Sequence, residues 1–291
     1  MICLKDNTVN SSFFNKTIKF INTFVRKIVK DDVPGMSAQL SFYLILTFFP
    51  LLILIFTLIS FSPLLTEDLL YDVLSALPDQ TVSLVWKIIT GVTRSPSILI
   101  SSAIIAMWSA SAAMSTVAKA MNRFYGIREE RNFIFVRLTG MVFVAAIVVL
   151  IILSFTIIVF GSLIGDAISS YSPNYLPLWQ ILRLTVLLTC SVTIFIMIFK
   201  KMPNKQLKFK YLWQGSVFTT IAWVLGSLVF SFYVNNFSSY HVIYGSIAGL
   251  IALVTWLYMS AYIILLGGEL NSVIYSEFIE KQKEKGYGHL S

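Results

Sequence analysis

The chain has 291 residues, of which 57% are hydrophobic and 12% are charged, and its mean hydropathy is +0.79. This composition excludes a soluble globular domain and indicates an integral membrane protein. The net charge of +8 does not point to nucleic acid, because the basic residues flank apolar runs, where lipid head groups and membrane topology account for them.

An amphipathic segment precedes the first apolar run. Residues 13–30, FFNKTIKFINTFVRKIVK, have one apolar and one basic face, a pattern typical of a helix on an anionic membrane surface. A soluble docking helix is the alternative. The apolar residues are Phe14, Ile18, Ile21, Val25 and Ile28, and the basic ones are Lys16, Lys19, Arg26, Lys27 and Lys30. The sequence DDVPG at 31–35 predicts the end of the helix, so residues 1–35 form a cytoplasmic amino-terminal segment.

Six apolar runs follow, each long enough to cross a hydrocarbon core of about 30 Å at about 1.5 Å per residue. They lie at 36–62, 97–121, 138–164, 178–199, 211–234 and 243–268. Residues 63–96 are too polar to span, and their apolar spacing predicts two short amphipathic helices on the outer side, broken at Pro78. The predicted fold is all-α and polytopic, with a six-helix transmembrane domain over 36–270 and a solvated cytoplasmic tail over 271–291.

The first two spans carry features that predict how they pack. Pro50 lies near the middle of the first span and predicts a kink, with the hydroxyls of Ser41, Tyr43 and Thr47 within reach of the freed carbonyl. The second span has small residues at 109–113 and at 115, which predict a central position with close neighbours. Lys119 near its end either snorkels to the surface, the favoured interpretation, or pairs with a buried acid such as Glu269.

The last span carries no charge over 243–268 and leads directly into Glu269. A stripe of small residues, Gly245, Ala248, Gly249 and Ala252, predicts a packing face near the start of this span. Glu269 lies at the far boundary, where a carboxylate is a functional site, a hydrogen-bonded structural anchor or the first solvated residue after the span. The two structural interpretations together are the more favoured.

Charge asymmetry predicts the orientation. Nineteen of the 22 lysines and arginines fall in segments that six spans place on one side. Only Lys87, Arg94 and Arg183 fall on the other side. Because positively charged segments remain in the cytoplasm, we expect a multi-pass protein of the bacterial cytoplasmic membrane with both termini inside.

Four stretches carry a resemblance to a known family. They are AQLSFYLILTFFPLL in the first span, AAMSTVAKAMNRFYGIRE ending the second, KMPN before the fifth, and FYVNNFSSYHVIYGSIAGLIALVTWLYMSAYIILLGGELN at the end. Over nearly its whole length the chain resembles the bacterial YihY/BrkB inner-membrane proteins, once mislabelled ribonuclease BN. The resemblance implies six spans with cytoplasmic ends, and it associates the chain with envelope lipid transport and serum resistance.

The residues argue against a nuclease. Metal-dependent phosphodiester hydrolysis needs clustered His, Asp or Glu ligands. The only histidines, His241 and His289, lie in a predicted outer loop and in the tail, and no phosphate-binding glycine motif of the Walker type occurs. We therefore expect no catalytic residues, no metal site and no cofactor, and no nucleic acid as a partner.

Two functional hypotheses remain. In the first, the helices move a lipid or another amphipathic envelope component across or between leaflets. The candidate pathway residues are Glu269, Lys119, Asn122, Asn235, Asn236, Tyr240 and Tyr244. In the second, the protein is a non-transporting scaffold that binds envelope proteins. Membrane lipids are the expected partners, and a homo-oligomer is left open. The absence of an ionisable residue near the middle of any span weakens proton-driven transport of small solutes.

Overall fold

The computed structural model describes residues 5–61, 96–142, 144–145, 175–236 and 248–284. These parts of the chain are helical except for short turns and two connections, 125–132 and 202–208, and contain no β-strand. The helices are α1 (Lys5–Lys30), α2 (Val33–Phe61), α3 (Pro96–Phe124), α4 (Phe133–Val142), α5 (Leu176–Lys201), α6 (Trp213–Asn236) and α7 (Ala248–Glu284), and a short 3-10 helix (Phe209–Tyr211) precedes α6.

Five of the described helices, α2, α3, α5, α6 and α7, are long and apolar enough to cross a membrane. The predicted fold class, an all-α polytopic membrane protein, is confirmed. Most of the predicted third span, 138–164, lies outside the described residues, as does nearly all of the predicted outer segment 63–96 with its break at Pro78. Those two elements stay predictions.

The break between α1 and α2 is only two residues long. Asp32 adopts a left-handed conformation with φ 53°, and its Oδ1 accepts a hydrogen bond from the Gly35 amide at 3.2 Å. Pro34 falls in the first turn of α2, where the missing amide hydrogen removes no helical bond. The predicted helix end at DDVPG is therefore present, but the chain turns and resumes a helix at once.

Helix α3 is central, as its small residues predict. Its residues from Ala110 to Ala118 are all buried, and α2 packs along it. The hydroxyls of Ser111 and Ser115 donate to carbonyls of the same helix at 2.7 and 2.8 Å, so the hydroxyl hydrogens are satisfied within α3. The Ser111 oxygen also accepts a hydrogen bond from Arg137 at 3.1 Å.

Pro50 lies within α2, which continues through it. The proline leaves the Leu46 carbonyl without its usual amide donor. The upstream hydroxyls do not replace that donor, because Ser41 bonds to the Ala38 carbonyl and Thr47 to the Tyr43 carbonyl. The expected rescue by Ser41 and Thr47 is wrong, and the kink itself stays a prediction.

Of the predicted packing stripe, Ala248 is buried, Gly245 lies outside the described residues, and Gly249 makes no close contact. Gly249 is exposed and an added Cβ would meet nothing within 4 Å. The backbones of α6 and α7 instead approach each other at Gly215 and Gly267. A Cβ on Gly215 would overlap the Gly267 carbonyl, and one on Gly267 would overlap the Thr219 hydroxyl. Small residues are needed at this crossing because any side chain would force the helices apart.

Helix α7 does not end at Glu269, and the turn after it is buried instead of forming a solvated tail. Asn271 and Ser272 are buried together with Val273. The Asn271 side chain accepts a hydrogen bond from the Gly215 amide at 2.8 Å and donates to the Leu212 carbonyl at 3.2 Å. It thereby satisfies a backbone amide in the first turn of α6, where amide hydrogens have no carbonyl acceptor within their own helix.

A substitution at the α6–α7 crossing tests this arrangement. Gly215→Ala should destabilise the protein by about 1–3 kcal/mol, because the new methyl group overlaps the facing backbone. Thermal unfolding of detergent-solubilised protein measures the effect. Gly249→Ala is the matched control, and it should leave the melting temperature unchanged or raise it, since alanine favours the helix. Equal melting temperatures for the two variants would contradict the crossing at Gly215.

Candidate functional site

Several polar segments meet at one end of the helix bundle, called here the basic end. It comprises the carboxyl ends of α1 and α3, the connections 125–132 and 202–212, and α7 from Gly268 to Glu280. Hydrogen bonds from Lys27 to Ser272 and from Asn204 to Asn122 join these segments, and the Lys205 ammonium lies 5.4 Å from the centre of the Tyr275 ring. Three of the stretches that carry the family resemblance therefore come together here.

The centre of the basic end is a buried ion pair. Glu269 is 0% exposed, and its Oε1 lies 3.4 Å from the Nζ of Lys27. The same ammonium donates to the Phe124 carbonyl at 3.2 Å and to the Ser272 hydroxyl. Ser272 in turn donates to the Phe124 carbonyl at 2.7 Å. A carboxylate, a carbonyl and a hydroxyl thus surround the Lys27 ammonium, and α1, α3 and α7 are linked through one side chain.

Two oxygens beside this pair are buried with no hydrogen-bond partner among the described residues, Oε2 of Glu269 and the hydroxyl of Tyr125. Burial raises the pKa of Tyr125, and the nearby charge of Glu269 raises it further. The phenol therefore remains protonated and is close enough to Glu269 to respond to its charge. Leaving such groups unpaired costs about 1–3 kcal/mol each. The contribution of these two oxygens to folding stability therefore does not account for their presence beside the ion pair.

Arg123 covers the junction of α1 with α2. Its Nη2 donates to the Lys30 carbonyl at 3.1 Å, one of the last carbonyls of α1, which lack helical partners. Its Nε lies 3.9 Å from Asp31, a weak contact at that distance. An open cleft of about 400 Å³ lies beside these residues, with Lys30, Tyr275 and Glu280 also in its wall.

A second polar cluster joins the two connections. Arg131 donates to both oxygens of Glu129 at 2.8 Å and to the Met202 carbonyl at 2.8 Å. Asn122 donates to Glu129 at 2.6 Å and accepts from the Asn204 amide at 2.7 Å. The hydrogen bond from Arg131 lowers the pKa of Glu129, and burial opposes that shift. This cluster fixes the connection 125–132 onto the KMPN turn.

The sequence-predicted site residues separate into two groups. Glu269 and Asn122 lie at the basic end. Lys119 is exposed, and the cation that pairs with Glu269 is Lys27. Pairing of Lys119 with Glu269 is therefore wrong. Asn236 is exposed at the opposite end, where its amide donates to the Phe232 carbonyl. The side chains of Asn235, Tyr240 and Tyr244 lie outside the described residues.

Lys27 is the residue that sequence reasoning missed. Its basic character suggested the solvent-facing side of α1, yet it lies on the side that faces the bundle. A signal was present, because Phe20, Phe24, Lys27 and Asp31 recur at helical spacing and share one face. All four are partly or fully buried, while Ile18, Ile21 and Val25 of the predicted apolar side are exposed. Ile28 of that side is partly buried and packs against the core.

An apolar groove lies between α6 and α7 at the end opposite the basic end. Two adjoining cavities of about 230 Å³ and 370 Å³ share Phe230, Val234 and Ala252 in their walls. Gly249, Thr255 and Trp256 also line the groove. Below it the helices touch again, because Trp223 packs edge-on against Trp256 and donates to the Ser260 hydroxyl at 3.1 Å.

The groove contains one unpaired polar group. The Ser227 hydroxyl lies in its wall and is buried with no hydrogen-bond partner in the described parts of the chain. Within these same parts, no three histidine, cysteine, aspartate or glutamate residues cluster closely enough to hold a metal ion.

The long apolar helices and their buried polar contacts define an α-helical polytopic membrane protein. The chain matches the family described as Virulence factor BrkB over residues 24–287, and it belongs to that family, which confirms the resemblance. It is 34% identical to the ribonuclease-like protein YfkH of Bacillus subtilis (strain 168) over 263 residues, which cover 89% of this chain and 96% of YfkH.

A UPF0761 membrane protein of Pseudoalteromonas atlantica (strain T6c / ATCC BAA-1087) is 26% identical over 280 residues, which cover 94% of this chain and 91% of the relative. A UPF0761 membrane protein of Idiomarina loihiensis (strain ATCC BAA-735 / DSM 15497 / L2-TR) is 25% identical over 286 residues, 94% of this chain and 96% of the relative. No solved structure matches the chain.

The cluster around Glu129 predicts a pH-dependent stability. The pKa of Glu129 is lowered in the folded protein, so ionised Glu129 stabilises the fold at pH values above 4.5, the ordinary glutamate pKa. This contribution is lost as the pH falls below 4.5. Glu129→Gln should lower stability at neutral pH by at most about 1 kcal/mol, since the pair is partly exposed. The difference from wild type should shrink in acid.

Melting temperatures of wild type and Glu129→Gln, measured from neutral pH to below pH 4.5, test this effect. The exposed neighbour Glu130 provides the control, and Glu130→Gln should follow the wild-type profile. A Glu129→Gln profile that stays parallel to wild type down to the acid limit would contradict the assigned role of Glu129.

Proposed function

We propose that the protein moves a lipid or another amphipathic envelope component across or between the leaflets of the bacterial cytoplasmic membrane. The observation that carries the proposal is the groove between α6 and α7. Its walls are mostly apolar, and small residues at Ala248, Gly249 and Ala252 leave room for a chain. An acyl chain has the shape and polarity that such a groove accommodates.

The polar groups in the groove fit the same ligand class. Thr255 and Tyr233 bring hydroxyls to its wall, and the Ser227 hydroxyl has no protein partner among the described residues. Ester or head-group oxygens would accept a hydrogen bond from such a group. Within the described parts of the chain the groove walls include no charged residue, which suits passive or facilitated movement of lipid better than transport coupled to a charge in the membrane.

We also propose that the basic end and both termini face the cytoplasm. Nineteen of the 22 lysines and arginines support this orientation, and a basic surface there attracts the anionic head groups of the cytoplasmic leaflet. In this proposal Tyr240 and Tyr244 belong to the outer gate on sequence grounds. Asn122 acts structurally, because both ends of its amide hold the two connections together.

Filling the groove tests the function. Gly249→Phe should slow the exchange of fluorescent phospholipids between leaflets of reconstituted vesicles, to near the rate in protein-free vesicles. An added Cβ meets nothing within 4 Å, and the ring beyond it extends from a residue that lines the groove. Bleaching of the outer-leaflet fluorophore by a membrane-impermeant reductant gives the rate.

Val229→Phe is the matched control, because Val229 lies on α6, is 69% exposed and does not line the groove. It should exchange lipid at the wild-type rate. Wild-type protein that exchanges no lipid head-group class faster than empty vesicles would reject transport and favour the scaffold. Equal rates for wild type and Gly249→Phe would reject the groove as the path.

A further inference from the structure

We infer that the buried Glu269 carboxylate either pairs with the Lys27 ammonium or binds a proton. Detachment of α1 from the bundle is therefore accompanied by the uptake of one proton at Glu269. This inference does not depend on lipid transport. It concerns the basic end alone.

The first step of the argument is the charge balance around Glu269. Lys27 is the cation in direct contact with this carboxylate among the described residues. The titratable and charged groups that face the site from the surrounding segments are Lys27 of α1, Asp31 of the α1–α2 turn, Arg123 of α3, Tyr125 after α3, and Tyr275 of α7, with Tyr211 packed against Tyr275. Arg123 is directed at Asp31, so it does not replace Lys27.

The second step concerns what happens when Lys27 leaves. A carboxylate that is completely buried and has lost its only cation is too costly to remain charged, and such a group takes up a proton. The environment can accept the neutral acid. Oε2 of Glu269 has no hydrogen-bond partner among the described residues, so a proton on Oε2 displaces none of the bonds made there. The Ser272 hydroxyl remains 3.4 Å from Oε1.

The third step is that Lys27 is able to leave. Its side chain is 24% exposed and forms part of the wall of the open cleft. Helix α1 exposes Val25 and Val29, at 52% and 76%. On its other side Phe20, Phe24 and Ile28 are only partly buried, so the apolar area that detachment uncovers is limited to these three side chains. The left-handed Asp32 in the two-residue turn is the natural pivot, because α2 begins immediately after it.

Together these steps couple a helix movement to a proton. In the docked state Glu269 is ionised and paired with Lys27. In the detached state Glu269 is neutral and Lys27 is solvated. Because the two states differ by at most one bound proton, the ratio of detached to docked protein should rise by up to about tenfold for each unit by which the pH falls.

Distance measurements between spin labels test this coupling. The labels are placed at Asn22→Cys on α1 and Lys208→Cys on the connection 202–212, both exposed positions, in a protein whose Cys3 and Cys190 are replaced by serine. The full-length protein is studied in lipid nanodiscs from about pH 8 to about pH 5. We expect one short distance at high pH and a growing population of longer distances in acid.

Variants separate the proton from general acid effects. Glu269→Gln mimics the neutral acid, and it should show the long distances at every pH. Lys27→Met removes the competing cation and should abolish the pH dependence. Lys30→Met is the matched control, because Lys30 is exposed on the same helix end and should retain the wild-type titration.

An unchanged wild-type distance across the pH range would overturn the inference. So would a wild-type pH response in Glu269→Gln, or short distances in that variant at every pH. If Glu269→Gln does not insert, the wild-type titration and the two lysine variants still decide the question. A lipid-exchange result of either sign leaves this test unaffected.

Discussion

A carboxylate buried inside an apolar helix needs a cation, and this requirement organises the basic end of the protein. Glu269 has no exposed surface, and removal of the partner from such a pair costs about 3–5 kcal/mol because the remaining charge is uncompensated. Lys27 meets the requirement from a helix that would otherwise have only moderate contact with the bundle. Its ammonium also satisfies the Phe124 carbonyl at the end of α3, so one side chain sets the relative position of three helices.

The rest of the basic end extends this arrangement. Two residues beyond Glu269, Asn271 bonds to the first turn of α6, and the glycines at 215 and 267 allow the two helices to approach closely enough for that contact. Asn122 and Arg131 fix the two connections on the other side of the bundle end. Among the described residues no such hydrogen bond crosses the groove between α6 and α7, and space remains between these two helices there.

The sequence predicts the parts that depend on local composition. Long uncharged runs required spanning helices, and the small residues at 109–113 and at 115 required a buried position for α3. The sequence could not show that Glu269 lies within a helix, because a charge after an apolar run fits a helix end equally well. Nor could it show that Lys27 faces inward, since the rotation of α1 is set by contacts with residues far along the chain. Gly249 has Gly245 and Ala252 at helical spacing, whereas Gly267 has no glycine or alanine there, so the small-residue pattern favours Gly249 and only the crossing point of the helices identifies Gly267.

The central claim is that Lys27 and Glu269 stabilise the fold as a pair, and a double-mutant cycle at neutral pH tests it most directly. The measured quantity is the unfolding free energy of wild type, Lys27→Met, Glu269→Gln and the double variant in detergent. We expect Lys27→Met to cost about 3–5 kcal/mol and the addition of Glu269→Gln to recover most of that loss, because it removes the unpaired buried charge. Losses that simply add in the double variant would show that the two residues act independently and would contradict the account.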